Sequence, residues 1–150
     1  MMNAQWECKA FNELDIHTLY DILKLREEVF ILEQECLYND IDDIDLSSHH
    51  VWLYQDKQMI AYARIIPGTT DEYIKLGRII VHRLARGKGL GKELVQQSID
   101  IAKQLYTPLR IEIAAQQYLQ LFYESFGFIC KADPYDLDGI PHIDMTLHLL

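Results

Sequence analysis

The chain has 150 residues, 49% of them hydrophobic, and a formal net charge of −9. That is the size of one domain with a full core, and the acidic balance argues against nucleic acid or anionic membrane as a main partner. Three cysteines, Cys8, Cys36 and Cys130, with no Cys-x-x-Cys spacing, argue against a disulfide framework or a zinc site and fit a reducing, cytoplasmic compartment. No segment approaches the roughly 18–20 continuous apolar residues of a membrane span, and residues 1–11 carry no apolar signal core.

In chain order, residues 6–11 read as a first strand. Residues 14–32 read as a helical region, with Ile22, Leu25, Val29 and Leu32 at near-helical spacing. Residues 39–45 are acidic and irregular. Residues 51–54 and 59–66 read as two strands around a hairpin turn at Gln55-Asp56-Lys57, and residues 67–70 as a loop. Residues 73–82 form a strand that feeds a glycine-rich turn, and a helix follows to about residue 106, where Pro108 stops it. Residues 109–114 read as a strand, 116–126 as a helix, and 128–132 and 143–149 as the last strands. The expected fold class is α/β, a mixed sheet flanked by helices, in a single domain over residues 1–150.

The glycine-rich turn is the most informative stretch. Arg86-Gly87-Lys88-Gly89-Leu90-Gly91 sits between the β-branched run Ile79-Ile80-Val81 and a helix carrying Leu94, Val95, Ile101, Ala102 and Leu105. Such a turn aims backbone N–H groups into one concavity at the positive end of a helix dipole, a place to hold phosphate. From Lys75 to Lys92 the chain carries Lys75, Arg78, Arg83, Arg86, Lys88 and Lys92 and no acid. A basic island on an acidic protein points to a small polyanionic ligand. A Walker A loop fails, because Gly91-Lys92 is followed by Glu93 and position 86 is Arg. The dinucleotide fingerprint fails because its third glycine is misplaced.

What fits is Arg-x-x-Gly-x-Gly, with Arg86, Gly89 and Gly91. This resembles the pyrophosphate-binding signature of the GNAT-type N-acetyltransferases. A second element agrees: Leu119-Gln120-Leu121-Phe122-Tyr123-Glu124-Ser125-Phe126-Gly127-Phe128 is similar to the downstream GNAT helix that ends in Gly-Phe. With these two elements the resemblance covers the chain from about residue 52 to about residue 128. The ends, Arg26-Glu27-Glu28-Val29-Phe30-Ile31-Leu32-Glu33-Gln34 and Asp138-Gly139-Ile140-Pro141-His142-Ile143-Asp144-Met145, resemble the ElaA-like branch, which is similar to the acyl-homoserine-lactone synthases in its N-terminal arrangement. With them the resemblance covers nearly the whole chain.

The resemblance implies a GNAT-like acyl-CoA N-acyltransferase fold, with a central sheet splayed to admit acetyl-CoA as co-substrate and no metal. It places Ile79, Ile80 and Val81 against pantetheine, and Arg86, Gly87, Lys88, Gly89, Leu90, Gly91 and Lys92 around the pyrophosphate. Gln116 stands where relatives often have Asn. Tyr123 occupies the position of the general acid. Its bare pattern, a helix with Leu119, Phe122 and Phe126, favours a packed aromatic; the motif shifts it to catalysis.

The base is open. Relatives often carry a carboxylate on the strand before the glycine turn, where this chain has Lys75 and Arg78. Glu112, His142 and Glu33 are the alternatives, besides a water chain. Glu112 alternates with Ile111 and Ile113 and so points away from their face. His142 is of the residue type that most readily exchanges a proton near neutrality. Arg26, Phe30, Glu33 and Gln34 are expected to line the acceptor pocket.

The acidic run Asp40, Asp42, Asp43 and Asp45 either attracts a cationic amine or is a solvated loop. The expected acceptor is a small-molecule or lysine-like amine; neither nucleic acid nor membrane is an expected partner, and a homodimer is allowed. Two other functions remain open: a non-catalytic acyl-CoA binding module, and an acyl-homoserine-lactone-synthase-like enzyme, which the absence of an extra basic surface for an acyl carrier protein disfavours.

Overall fold

In the computed structural model, which describes residues 5–149, β1 (Glu7–Ala10) opens the chain and α1 (Ile16–Arg26) follows. Asp15 caps α1 by accepting the Thr18 N–H at 2.7 Å. The helix does not run on regularly to residue 32 as its spacing suggests. From Glu27–Glu33 it widens into a π-helix, in which the Gln34 N–H reaches the Val29 carbonyl at 3.1 Å.

Next come β2 (His49–Gln55) and β3 (Gln58–Pro67), joined by Asp56 and Lys57, both at positive φ as a two-residue hairpin requires. After β4 (Tyr73–Val81), the glycine turn leads into α2 (Leu90–Tyr106). Leu94, Val95, Ser98, Ile99 and Ala102 form its buried stripe. Thr107 ends it in a left-handed conformation, just before Pro108. The remaining elements are β5 (Arg110–Gln116), α3 (Gln120–Glu124), β6 (Ile129–Cys130), β7 (Tyr135–Leu137) and β8 (Ile140–His148). The helix expected over 116–126 is shorter, because Gln116 still belongs to β5 and residues Gln117–Leu119 form a 3-10 turn. β7 was not expected; it pairs with β8 across Asp138-Gly139.

All eight strands form one sheet in the order β1-β2-β3-β4-β5-β8-β6, with β7 on β8. Among the described residues only β4 and β5 run parallel, and α2 supplies the crossover between them. One face packs on α2 and α3 through Ala61, Ala63, Ile65, Ile111, Ile113, Phe128 and Met145. The other packs on α1, where Ile22, Leu25 and Val29 meet Trp52, Met59, Tyr62 and Ile80. No helix among the described residues is long and apolar enough to cross a membrane.

Two irregularities position the site. The β4–β5 ladder runs from Tyr73↔Arg110 to Leu76↔Ile113 and stops there, although β4 continues to Val81 and β5 to Gln116. The strands part beyond that point. On its other edge β4 bulges: Tyr62 opposes Ile80 and Arg64 opposes Gly77, so Arg78 and Ile79 share one partner position. Arg78 sits at φ +50, a conformation that a side chain with a Cβ disfavours by about 1–2 kcal/mol. Its guanidinium is held there by Asp40 and Asp42 at 2.8 and 3.2 Å.

Candidate active site

Where β4 and β5 part, a groove of about 840 Å³ opens through the sheet. Its β4 wall is Gly77, Arg78, Ile79, Ile80 and Val81, and its β5 wall is Ala114, Ala115 and Gln116. From Gly77 onward the β5-facing edge of β4 has no strand to pair with, so backbone groups there are available to a ligand. The groove ends at the glycine turn. Gly87 and Gly89 take φ +83 and +79, and α2 starts at Leu90 with no side chain capping its first N–H groups. Those donors and the dipole behind them suit a diphosphate. Gly91 lies close to the apolar wall, where an added Cβ would stand 3.8 Å from Val81 and 3.9 Å from Phe122. A phosphate-binding rim above an apolar slot lined by Val81, Leu119 and Phe122 fits coenzyme A.

Comparison with known proteins agrees. The GNAT acetyltransferase domain model matches residues 13–149. The chain belongs to the GNAT family. Within that family it is ElaA-like: ElaA of Escherichia coli is 36% identical over 149 residues, 97% of each chain. The ElaA crystal structure superposes with a TM-score of 0.92 at 35% identity, covering 97% of this chain and all of that one. An acyl-CoA N-acyltransferase from Pseudomonas aeruginosa superposes with a TM-score of 0.90, again at 35% identity, covering 95% of this chain and 99% of that one. A UPF0039 protein of Schizosaccharomyces pombe is 38% identical over 151 residues, 99% of this chain and 100% of that one. The fold is thus that of the GNAT acyl-CoA N-acyltransferases, and the chain is an acyltransferase by family.

Of the residues singled out for cofactor, Ile79, Ile80, Val81, Arg86, Gly87, Gly89, Leu90, Gly91 and Gln116 line this GNAT groove; Lys88 and Lys92 do not. Ile80 also anchors the α1 face of the sheet. Arg86 is engaged: its Nε donates to the Val81 carbonyl at 3.0 Å, and Nη1 and Nη2 grip the Glu33 carboxylate at 2.6 and 3.1 Å. Glu33 is therefore tied to the cofactor turn.

Tyr123, on α3, is 5% exposed and lines the groove between Phe122 and Phe128. Its hydroxyl makes no hydrogen bond among the described residues, and burial, with a smaller push from Tyr118, raises it well above the ordinary phenol range. It stays protonated at neutral pH. The ring is part of the core, and the residue also lines the groove.

His142, on β8, also lines the groove, opposite Gln116 in the ladder. Its Nδ1 lies 2.7 Å from the Ile140 carbonyl, which can only accept. In the neutral ring that places the proton on Nδ1 and the lone pair on Nε2. The ring stacks on Tyr135, whose hydroxyl donates to Asp144 at 2.6 Å. Glu112 lines the groove too, but its carboxylate is clamped by Arg110 at 2.7 Å.

Phe30 and Gln34, carried in by the π-helix, line the groove beside Cys36 and Tyr38. Gln34 accepts from the Gln116 amide at 3.4 Å. The Cys36 thiol donates to the Asp138 carbonyl at 3.0 Å, joining the N-terminal arm to the β7–β8 hairpin. Sequence reasoning missed this hairpin, although Asp138-Gly139 is a strong hairpin signal, and with it missed Tyr135 and Asp144.

Arg26 is a correction. It is fully buried and absent from the groove wall, held by Asp40 at 2.8 Å and Asp45 at 2.7 Å. Arg64 shares Asp45 at 2.9 Å and takes Asp42 at 2.8 Å. With Arg78, three arginines and three aspartates close one network. Asp40, Asp42 and Asp45 are thus neither a solvated loop nor free to attract a cation; of the run, only Asp43 is exposed and outside it.

This network makes stability depend on acid. Burial pushes the Asp45 carboxyl up, but bonds from Arg26 and Arg64 outweigh that and hold it below its usual range. Asp42 is lowered in the same way, burial again being outweighed, by Arg64 and Arg78. Burial depresses His50 despite its contact with the Asp45 carbonyl. Each group binds fewer protons folded than unfolded, so stability rises with pH. The melting temperature is expected to be level between about pH 7 and 8, to fall below about 6.5 as His50 of the unfolded chain takes up a proton, and to fall steeply below about 4. A melting temperature that rises between pH 7 and 5 would contradict this sign.

Proposed function

We propose that this chain is an acetyl-CoA-dependent N-acetyltransferase that moves the acetyl group directly to an amine. The observation that carries the reading is the gap between β4 and β5, which opens onto the glycine turn with Tyr123 and His142 in one groove. Bound acetyl-CoA supplies the activated thioester.

The chain's own residues do the rest. The glycine turn holds the diphosphate, and the free edge of β4 aligns the pantetheine arm. His142 Nε2 takes a proton from the acceptor ammonium or from the amine as it attacks. Tyr123 faces the leaving sulfur. A full proton transfer from an ordinary phenol to a thiolate is already uphill by about 1.5 units, roughly 2 kcal/mol, and burial of Tyr123 adds to that. Tyr123 therefore serves best as a hydrogen-bond donor to the developing thiolate.

The test is a screen of amines with acetyl-CoA, read as release of free CoA thiol. Thiol release that no amine accelerates would sink the enzyme and leave a CoA-binding module. The cofactor half is tested separately. Gly89→Val puts a β-branched residue at φ +79 and a side chain where the diphosphate approaches. Acetyl-CoA affinity is expected to drop at least about tenfold, since the turn's N–H groups can no longer converge. Undiminished affinity by calorimetry would remove the glycine turn from the cofactor site.

A further inference from the structure

The α1-side face of the sheet forms one wall of the groove, and its residues have a pattern. On β4, β5 and β8 the core on the α2 side takes Ile74 and Leu76, Ile111 and Ile113, and Ile143 and Met145. Strand alternation puts their neighbours on the opposite face. The ladder aligns Lys75, Glu112 and Thr146 in one row across the three strands.

Several polar groups on this wall have no partner among the described residues. Lys75 is exposed, lines the groove and has no carboxylate within ion-pair distance among the described residues. Arg78 uses Nε and Nη2 on Asp40 and Asp42, while Nη1 makes no hydrogen bond. Arg64 is 2% exposed and its Nε is buried without a partner; Thr146 is fully buried and its hydroxyl is likewise unpaired. Lys75 and the Nη1 of Arg78 are therefore cationic donors on the groove wall that suit an anionic ligand, whereas the Arg64 Nε and the Thr146 hydroxyl are closed off from it. The nearby carboxylates are already engaged: Glu112 is clamped by Arg110, and Asp40, Asp42 and Asp45 are closed into the network.

We propose that the acceptor carries a carboxylate besides its amine, making it a small amino acid, and that Lys75 and Arg78 bind that carboxylate. This rests on the acetyl-transfer reading and deepens it. The amine is directed to the β8 side, where His142 presents its Nε2 lone pair and Asp144 an acidic oxygen. The wall thus offers cations on β4 and a base with a carboxylate on β8, the two ends of a zwitterion. A site built to pair a charged group discriminates strongly against an analogue lacking it.

The test uses matched acceptors. The full chain receives acetyl-CoA with common α-amino acids, or with their carboxamides, which keep the amine and lose the negative charge. Thiol release is followed. In parallel, N-acetyl amino acids and N-acetyl carboxamides are titrated into the CoA-loaded chain by calorimetry. The preferred amino acid should exceed its carboxamide in kcat/KM by roughly 10- to 100-fold, the effect of one charge-assisted pairing. Lys75→Glu, at an exposed and unpartnered position, should remove most of that ratio through KM.

Carboxamides used as well as acids, or a ratio that Lys75→Glu leaves intact, would overturn the carboxylate site while leaving acetyl transfer standing. If no amine releases thiol but N-acetyl amino acids bind in a Lys75-dependent way, the carboxylate site stands and the acetyl-transfer reading falls. If the acids are neither used nor bound, the site is absent.

Discussion

Tyr123→Phe is expected to lower kcat roughly 10²- to 10³-fold, the usual cost of one donor aimed at developing charge, with acetyl-CoA affinity nearly unchanged. The substitution deletes one oxygen and keeps a ring that packs on Phe122 and Phe128. Because the hydroxyl has no hydrogen-bonding partner among the described residues, removing it leaves no polar group unpaired, and stability should hold or rise slightly. The loss should be largest for acyl donors with a poor leaving thiol, since the donor acts on the departing sulfur. Turnover equal to wild type would leave Tyr123 with only its role in the core.

The other large effect is structural. Arg26→Ala should cost roughly 3–5 kcal/mol in chemical denaturation, because it leaves Asp40 and Asp45 short of a partner in a site with little access to water. The control is Asp43→Asn, exposed and outside the network, at φ +65, which asparagine tolerates well. It should change stability by no more than about 0.5 kcal/mol. If Arg26→Ala lost less than about 1 kcal/mol, the six charges would not act as a buried unit.

What the sequence showed and what it concealed divide by range. The glycine turn, α2 and the hairpin at Asp56-Lys57 are local, and their residues announce them. The helix start at Asp15 and the stop before Pro108 are of the same kind. The parting of β4 from β5 is not local. Nothing in Leu76 or Ile113 says that their ladder ends there, because the parting depends on a bulge set against β3 and braced by Asp40 and Asp42 from another segment. Arg26 and Asp45 likewise find each other across 19 residues, so a run of acids that reads as surface becomes interior once three arginines converge on it. His142 was visible as a residue type, but its tautomer needed the Ile140 carbonyl.

The π-helix has a consequence for how this segment tolerates insertion and deletion. Val29 faces the core, Phe30 and Gln34 face the groove, and Glu33 reaches Arg86, all within six residues. A regular α-helix turns 100° per residue, and it could not give these side chains the same directions. The widened turn accommodates them by holding more chain per revolution. Loss of one residue there would close the widened turn back to regular winding, leave the chain beyond it nearly in register, and change the directions inside the turn, from which Phe30, Glu33 and Gln34 leave for their targets. Substitutions in this stretch can be judged one side chain at a time, but its length is fixed by three separate contacts at once.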